Sequence, residues 1–251
     1  MGSPESERSL VWSFGGGVQS VALAVLVARG DLPRPEAVVM ADTSYEASET
    51  WAYIERYVRG RLELDVQVAP HSLATVGLYS TEGKPLPPLY TIQGGKLPSF
   101  CSENWKTRVV SRWLRAKGYG PKRPVRQWLG ISLDEVHRMK PSQKKWIETE
   151  WPLIDLSVRR SDCYALIRAA GIPQPPRSSC YICPHRGSAQ WGRLKNHSPD
   201  DWGRAVEIET EIRQKHPDLF LNNQRVPLAE VDLSEDQKEL FDSCDEGICF
   251  T

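Results

Sequence analysis

Cys180-Tyr-Ile-Cys183, followed at once by Pro184, carries the most pointed chemistry in this 251-residue chain. Two thiolates at that spacing, in a sequence whose polar start carries no export signal, read as metal ligands or nucleophiles rather than as halves of disulfides. C-x-x-C before a proline is a recurrent way of presenting thiolates to an iron–sulfur cluster. A tetrahedral zinc accepts the same ligands and needs no redox chemistry. Of the other four cysteines, Cys101 precedes a helical stretch, Cys244 and Cys249 stand in the last eight residues, and Cys163 lies in a helical pattern that reads as core.

A second constellation lies near the start. Ser13-Phe14-Gly15-Gly16-Gly17-Val18-Gln19-Ser20 separates the apolar run Leu10-Val11-Trp12 from the helix-forming run Val21 to Ala28. Three glycines between strand and helix let backbone N–H groups converge where side chains would block approach, and the helix N-terminus adds partial positive charge. Phosphate is the natural guest. No Lys follows the glycines as the G-x-x-x-x-G-K-[ST] loop requires, and Ser stands where the third Gly of G-x-G-x-x-G belongs.

The segment resembles the PP-loop, the S-x-G-G-x-x-S pyrophosphate-binding signature of the adenine nucleotide α-hydrolase superfamily. Four further segments resemble one branch of it, the phosphoadenylylsulfate reductase-like proteins. They are Asp42-Thr43-Ser44-Tyr45-Glu46 with Glu49-Thr50, Cys101-Ser102-Glu103-Asn104-Trp105-Lys106, and Gly130-Ile131-Ser132-Leu133-Asp134-Glu135 with Arg138. The last is the succession Pro152-Leu153-Ile154-Asp155, Gly171-Ile172-Pro173, Cys180-x-x-Cys183. Together they span residues 10 to 187 in the family's order. The resemblance implies an ATP site made by Ser13, Phe14, Gly15, Gly16, Gly17, Gln19 and Ser20, with Asp42, Gly130 and Asp134 near the nucleotide. Ser20 and the loop amides would hold the β,γ-phosphates, bridged by Mg2+. Lys106, Arg108 and Arg138 are the expected charge stabilisers; for each, a solvated helix face is the competing reading.

The departures redirect the chemistry. The family's terminal Glu-Cys-Gly-Leu-His, which carries the reductase nucleophile, is replaced by Cys244-Asp-Glu-Gly-Ile-Cys249, and the Arg of its G-x-R segment is Ser132. Only one Cys stands where the family has a pair. Sulfate reduction loses ground, and cleavage of ATP between its α- and β-phosphates gains. Cys249, as a mobile thiol, keeps a reductase open as the second reading.

The same resemblance implies a 4Fe-4S cluster on Cys101, Cys180, Cys183 and Cys244. Cys249, Cys163 or an open iron are alternatives for the fourth position. The zinc alternative uses Cys101, Cys180 and Cys183 with His185 or a tail cysteine. Joined to the ATP site, the thiols imply a PP-loop sulfurtransferase that adenylylates DNA, tRNA or a nucleotide-like acceptor and inserts sulfur supplied by a donor such as a cysteine desulfurase. A nucleotide-binding subunit merely stapled by zinc is the non-enzymatic reading. Gly16→Val and Ser20→Ala are expected to abolish nucleotide binding with little effect on the core.

These residues need a scaffold. Leu10–Trp12, Ala37–Ala41, Leu64–Val68 and Gln127–Ile131 read as strands separated by helices, one of them from a Thr43-x-x-Glu46 capping box to about Tyr57 and another from Glu103 to about Lys117. Such alternation predicts a Rossmann-like three-layer α/β/α fold with a mostly parallel sheet over residues 1–160, and a helical, irregular region carrying the C-x-x-C over 161–251. Residues 70–100 lack a period and read as a long loop.

Net charge is zero, so the global field favours no nucleic acid. Residues 106–145, however, hold twelve Lys or Arg against two acids, whereas residues 200–251 hold fourteen acids against five bases. A basic middle with Trp105, Trp113, Trp128 and Trp146 interleaved suits polynucleotide phosphates and base stacking. No apolar run approaches the roughly 20 residues a bilayer requires, so the expected protein is cytoplasmic, without membrane partners and compatible with a homodimer.

Overall fold

The computed structural model describes residues 8–233. In chain order it comprises β1 (Ser9–Ser13), α1 (Val18–Ala28), β2 (Ala37–Ala41), α2 (Ser48–Tyr53), β3 (Val66–Ala69), β4 (Tyr90–Thr91), α3 (Arg108–Ala116), β5 (Val125–Leu129) and β6 (Ile147–Glu150). There follow α4 (Pro152–Asp155), α5 (Arg160–Ala169), α6 (Ser188–His197), α7 (Pro199–Lys215) and β7 (Leu219–Phe220). α2 runs on through a wide turn, Ile54–Arg59, and a similar one, Ser102–Thr107, leads into α3.

Five strands form one parallel sheet in the order β3-β2-β1-β5-β6. Alternation along each strand assigns side chains to two faces. Trp12, Val38, Met40, Val66 and Trp128 pack with α1, the α2 helix and α5, while Val11, Ala37, Val39, Ala69, Val125 and Ile147 pack with α3. The result is a three-layer α/β sandwich. α1 is buried from Val18 to Val27, as a helix apolar on all sides must be.

A further core joins Leu86, Leu89 and Trp105 to Tyr181, Ile182, Trp191, Leu194, Ile212, Leu221 and Leu228. Residues 70–100 are therefore anchored rather than free. Leu86 and Leu89 are buried, and β4 pairs antiparallel with β7. Cys163 and Ile167 of α5 belong instead to the α1 face of the sheet. Residues on both sides of position 160 thus contribute to two of the three cores, and the α3 face of the sheet is built from residues before it alone.

One local expectation fails, and one strand is new. Thr43 and Glu46 cap no helix; α2 begins at Ser48, and Thr43 Oγ1 accepts from the Tyr45 amide at 3.2 Å instead. β6 was not visible in the sequence because Ile147-Glu148-Thr149-Glu150 offers a single apolar residue at an edge position. The four Trp of the basic stretch are buried, at 2 to 6% exposure, which leaves no face for base stacking. Among the described residues no helix is long and apolar enough to cross a membrane.

Candidate nucleotide and thiol site

The chain leaves β1 for β2 on one side of the sheet, while β5 lies on the other, so the carboxyl ends of β1 and β5 frame a switch point of the strand order. Ligands of open α/β sheets bind in this crevice. The glycine turn occupies it. Phe14 continues β1 by donating to Val39 O at 2.8 Å, and its ring packs edge-on to Trp12. Gly16 then adopts φ +75, where a Cβ would lie 3.0 Å from Thr50 Cγ2, 3.1 Å from Ser178 Oγ and 3.3 Å from Met40 Cε. Only glycine suits both that conformation and that space. A Cβ on Gly130, after β5, would stand 3.3 Å from Ser20 N and Oγ. The loop also opens α1 without a side-chain cap, leaving first-turn amides for an anion. Ser20 Oγ accepts the Gly15 amide at 2.9 Å.

Beside the turn, Ser13, Gly15, Ser20, Gly130, Ile131 and Arg138 line one small pocket. Arg138 enters it held by Glu135, whose Oε2 it meets at 2.6 Å; Gln19 Nε2 donates to the same oxygen at 3.0 Å, and Arg160 stands 3.7 Å from Oε1. Burial raises the Glu135 carboxyl above its ordinary value despite the neighbouring guanidiniums. Gln19 thus braces the loop after β5 with its side chain. Ser13 Oγ accepts from Gln127 at 2.6 Å.

On the turn's other side, Ser13, Phe14, Gly15, Met40, Glu46 and Lys106 line a second pocket. Lys106 also lines a third, of about 460 Å³ of empty space including its mouth, walled by Cys101, Trp105, Cys180, Cys183 and His185. One buried ammonium therefore borders both the glycine turn and the thiols.

The C-x-x-C is brought here by docking on the segment after β2. Tyr181 N donates to Tyr45 O at 2.7 Å, Ala47 N to Ser179 O at 3.3 Å, and Thr43 Oγ1 lies 3.3 Å from Cys180 Sγ. Ser178 Oγ reaches Gly15 O at 2.5 Å and Glu46 Oε1 at 3.0 Å. Beneath the thiols the Arg186 guanidinium donates to Cys180 O and Ser179 O at 3.3 Å. Burial lowers its pKa, opposed by the adjacent Cys183. Ser178 and Arg186 escaped sequence reasoning as parts of the site; only the proximity of Arg186 to Cys183 hinted at its place.

The other expected residues lie as follows. Asp42 Oδ1 accepts the Ser44 amide at 2.7 Å in a tight turn after β2, and Asp134 Oδ1 accepts the Arg160 amide at 2.9 Å, at the start of α5. Arg108 pairs with Glu103 at 2.8 Å on an exposed surface. Cys163 is fully buried, its thiol pushed up to about 12 by burial. Cys244 and Cys249 lie outside the described residues. Among the described residues no three His, Cys, Asp or Glu side chains converge as a metal-holding group.

Neither a protein-family model nor a curated protein matches the chain.

Proposed function

We propose that this protein is an ATP pyrophosphatase-type sulfurtransferase on a Rossmann-like PP-loop fold, active in nucleic-acid or nucleotide thiolation. One observation carries the reading: Lys106 borders both the glycine turn at the switch point and the pocket of three thiols. The turn suits a phosphate group because α1 starts without a side-chain cap beside a pocket lined by Gly15, Ser20, Gly130 and Arg138. Cys101, Cys180 and Cys183 line one pocket wall without a carboxylate, the donor type a soft metal centre takes, although they do not converge on one point as they stand.

In this reading the loop amides, α1's N-terminus and Ser20 bind the β,γ-phosphates of ATP with Mg2+, while Arg138 and Lys106 flank them. An acceptor oxygen bonds to the α-phosphorus, the bond to the β-phosphate oxygen breaks, pyrophosphate departs with the electron pair, and the acceptor's proton passes to solvent. Positioning and charge neutralisation supply most of the catalysis. Cys101, Cys180 and Cys183 would hold a 4Fe-4S cluster, with Cys244 as the fourth ligand, which when bound supplies sulfur chemistry beside the activated acceptor. Sulfur would come from a donor such as a cysteine desulfurase.

His185 in the same pocket favours one second reading, a zinc held by three Cys and one His. Pyrophosphate release from ATP, measured over DNA, tRNA and small nucleotides, tests the main proposal, with phosphoadenylylsulfate as the competing substrate. Release stimulated by a nucleic acid is the expected result. Absence of release with every acceptor, or turnover of phosphoadenylylsulfate alone, would overturn it.

A further inference from the structure

We infer that the solvent face of α3 is a docking strip for double-stranded nucleic acid, held through its phosphates alone. Its role rests on the reading above, because it delivers an acceptor toward Lys106; the geometry that supports it is separate. Val109, Val110, Trp113 and Leu114 bury one side of α3 against the sheet. Arg108, Arg112 and Arg115 follow at i, i+4 and i+7 on the opposite side, a row of about 10 Å at the α-helical rise. Lys144 faces the same row: burial, and then the charges of Arg115, Arg108 and Arg112, lower its pKa. Lys117, Lys140 and Lys145 add exposed charge nearby in sequence.

The row is weakly neutralised from within. Glu103, the one acid acting on Lys144, is engaged with Arg108. Arg112 donates to Leu73 O at 2.5 Å, and Arg115 lies over the Trp146 ring at 5.3 Å. Crowded like charges oppose folding, and a polyanion offsets that cost. Two features select a duplex. The four Trp of the stretch are buried, so the strip offers no stacking platform for unpaired bases. Thr107, Arg108, Arg112 and Arg115 supply no apolar anchor of the kind that inserts between lipid headgroups. What remains is a run of cations that fits successive backbone phosphates.

Fluorescence anisotropy of the full-length protein with a short labelled DNA duplex, titrated with salt, tests this. Affinity should fall steeply with salt, and Arg115→Glu with Lys144→Glu should weaken it at least tenfold and flatten the salt slope by about one per cation removed. Arg61→Glu, a single charge reversal at an exposed site elsewhere, should leave both unchanged. Should Arg115→Glu fail to fold, Lys144→Glu with Lys145→Glu reads the same loss. Duplex RNA bound equally well supports a backbone strip. Absence of duplex binding, tighter binding of single strands, or an equal loss in Arg61→Glu overturns it. ATP binding measured on the same variants should be retained. Failure of pyrophosphate release alongside intact duplex binding would remove the proposed reaction and leave the strip standing.

Discussion

Ser178 Oγ lies 2.5 Å from the carbonyl oxygen of Gly15 across 163 residues of sequence, and 3.0 Å from Glu46 Oε1. One hydroxyl proton serves two acceptors, so the glycine turn, the segment after β2 and the approach to Cys180 are fixed by a single side chain. Ser178→Ala leaves a carbonyl and a buried carboxylate short of a donor, which costs about 1–3 kcal/mol. The expected outcome is a lower melting temperature and weaker ATP binding together. Unchanged values for both in calorimetric titration and thermal melting would show that the contact positions nothing.

Gly16 and Ser20 separate under mutation. Gly16→Val is now expected to destabilise the fold as well as the loop, because φ +75 is strained for a side chain and Thr50, Met40 and Ser178 already fill the space. Ser20→Ala removes one hydroxyl that accepts the Gly15 amide, so its melting temperature should fall less than that of Gly16→Val while ATP affinity drops. Equal stability losses in the two variants would contradict this division.

Local chemistry made part of this legible in advance. The glycines after Trp12 announced strand, turn and helix because no other residue type fills that turn, and Cys163 read as core because its helical neighbours are apolar. The links between distant segments were not legible. Ser178 has no pattern of its own; its partners Gly15 and Glu46 meet it only when the C-x-x-C docks on the segment after β2. Thr43 and Glu46 looked like a capping box, but tertiary contacts with Cys180 and Ser178 claimed both side chains. The tryptophans suggested stacking, and burial in three cores took them instead.

Glu135 is expected to be the residue that orients Arg138. Glu135→Ala leaves the buried Arg138 guanidinium without its carboxylate, a loss of about 3–5 kcal/mol for a broken buried pair, and takes the same carboxylate from the half-buried Arg160. Glu135→Gln keeps the shape and should fold, yet reduce ATP affinity by misplacing Arg138 in its pocket. Thermal melting and nucleotide titration of both variants check this; wild-type ATP affinity in Glu135→Gln removes the positioning role.

Cys163 should be chemically silent. Burial raises its thiol from 9.0 to about 12, so the folded state keeps a proton that the unfolded state loses above pH 9. Its stabilising contribution is complete below pH 9 and is lost as pH rises toward 12. Alkylation of the native protein at pH 8, read by peptide mass spectrometry, should label Cys101 and Cys180 before Cys163, with Cys163→Ala flattening the alkaline fall in stability. Early labelling of Cys163 would mean that the α1–α5 face opens readily.

Cys180 offers the sharpest test of the thiol pocket. Its sulfur lies 3.3 Å from Thr43 Oγ1 on the wall that also carries Cys101 and Cys183, whereas Cys163 sits in a separate core. Protein purified without oxygen is expected to be brown and to contain iron and sulfide. Cys180→Ala should lose both, and Cys163→Ala should keep both, since only the first removes a soft ligand from the shared wall. Full iron content in Cys180→Ala would exclude that thiol as a ligand. One zinc and no iron in the wild type would transfer the pocket to the three-Cys, one-His centre, with His185→Ala then expected to weaken zinc retention.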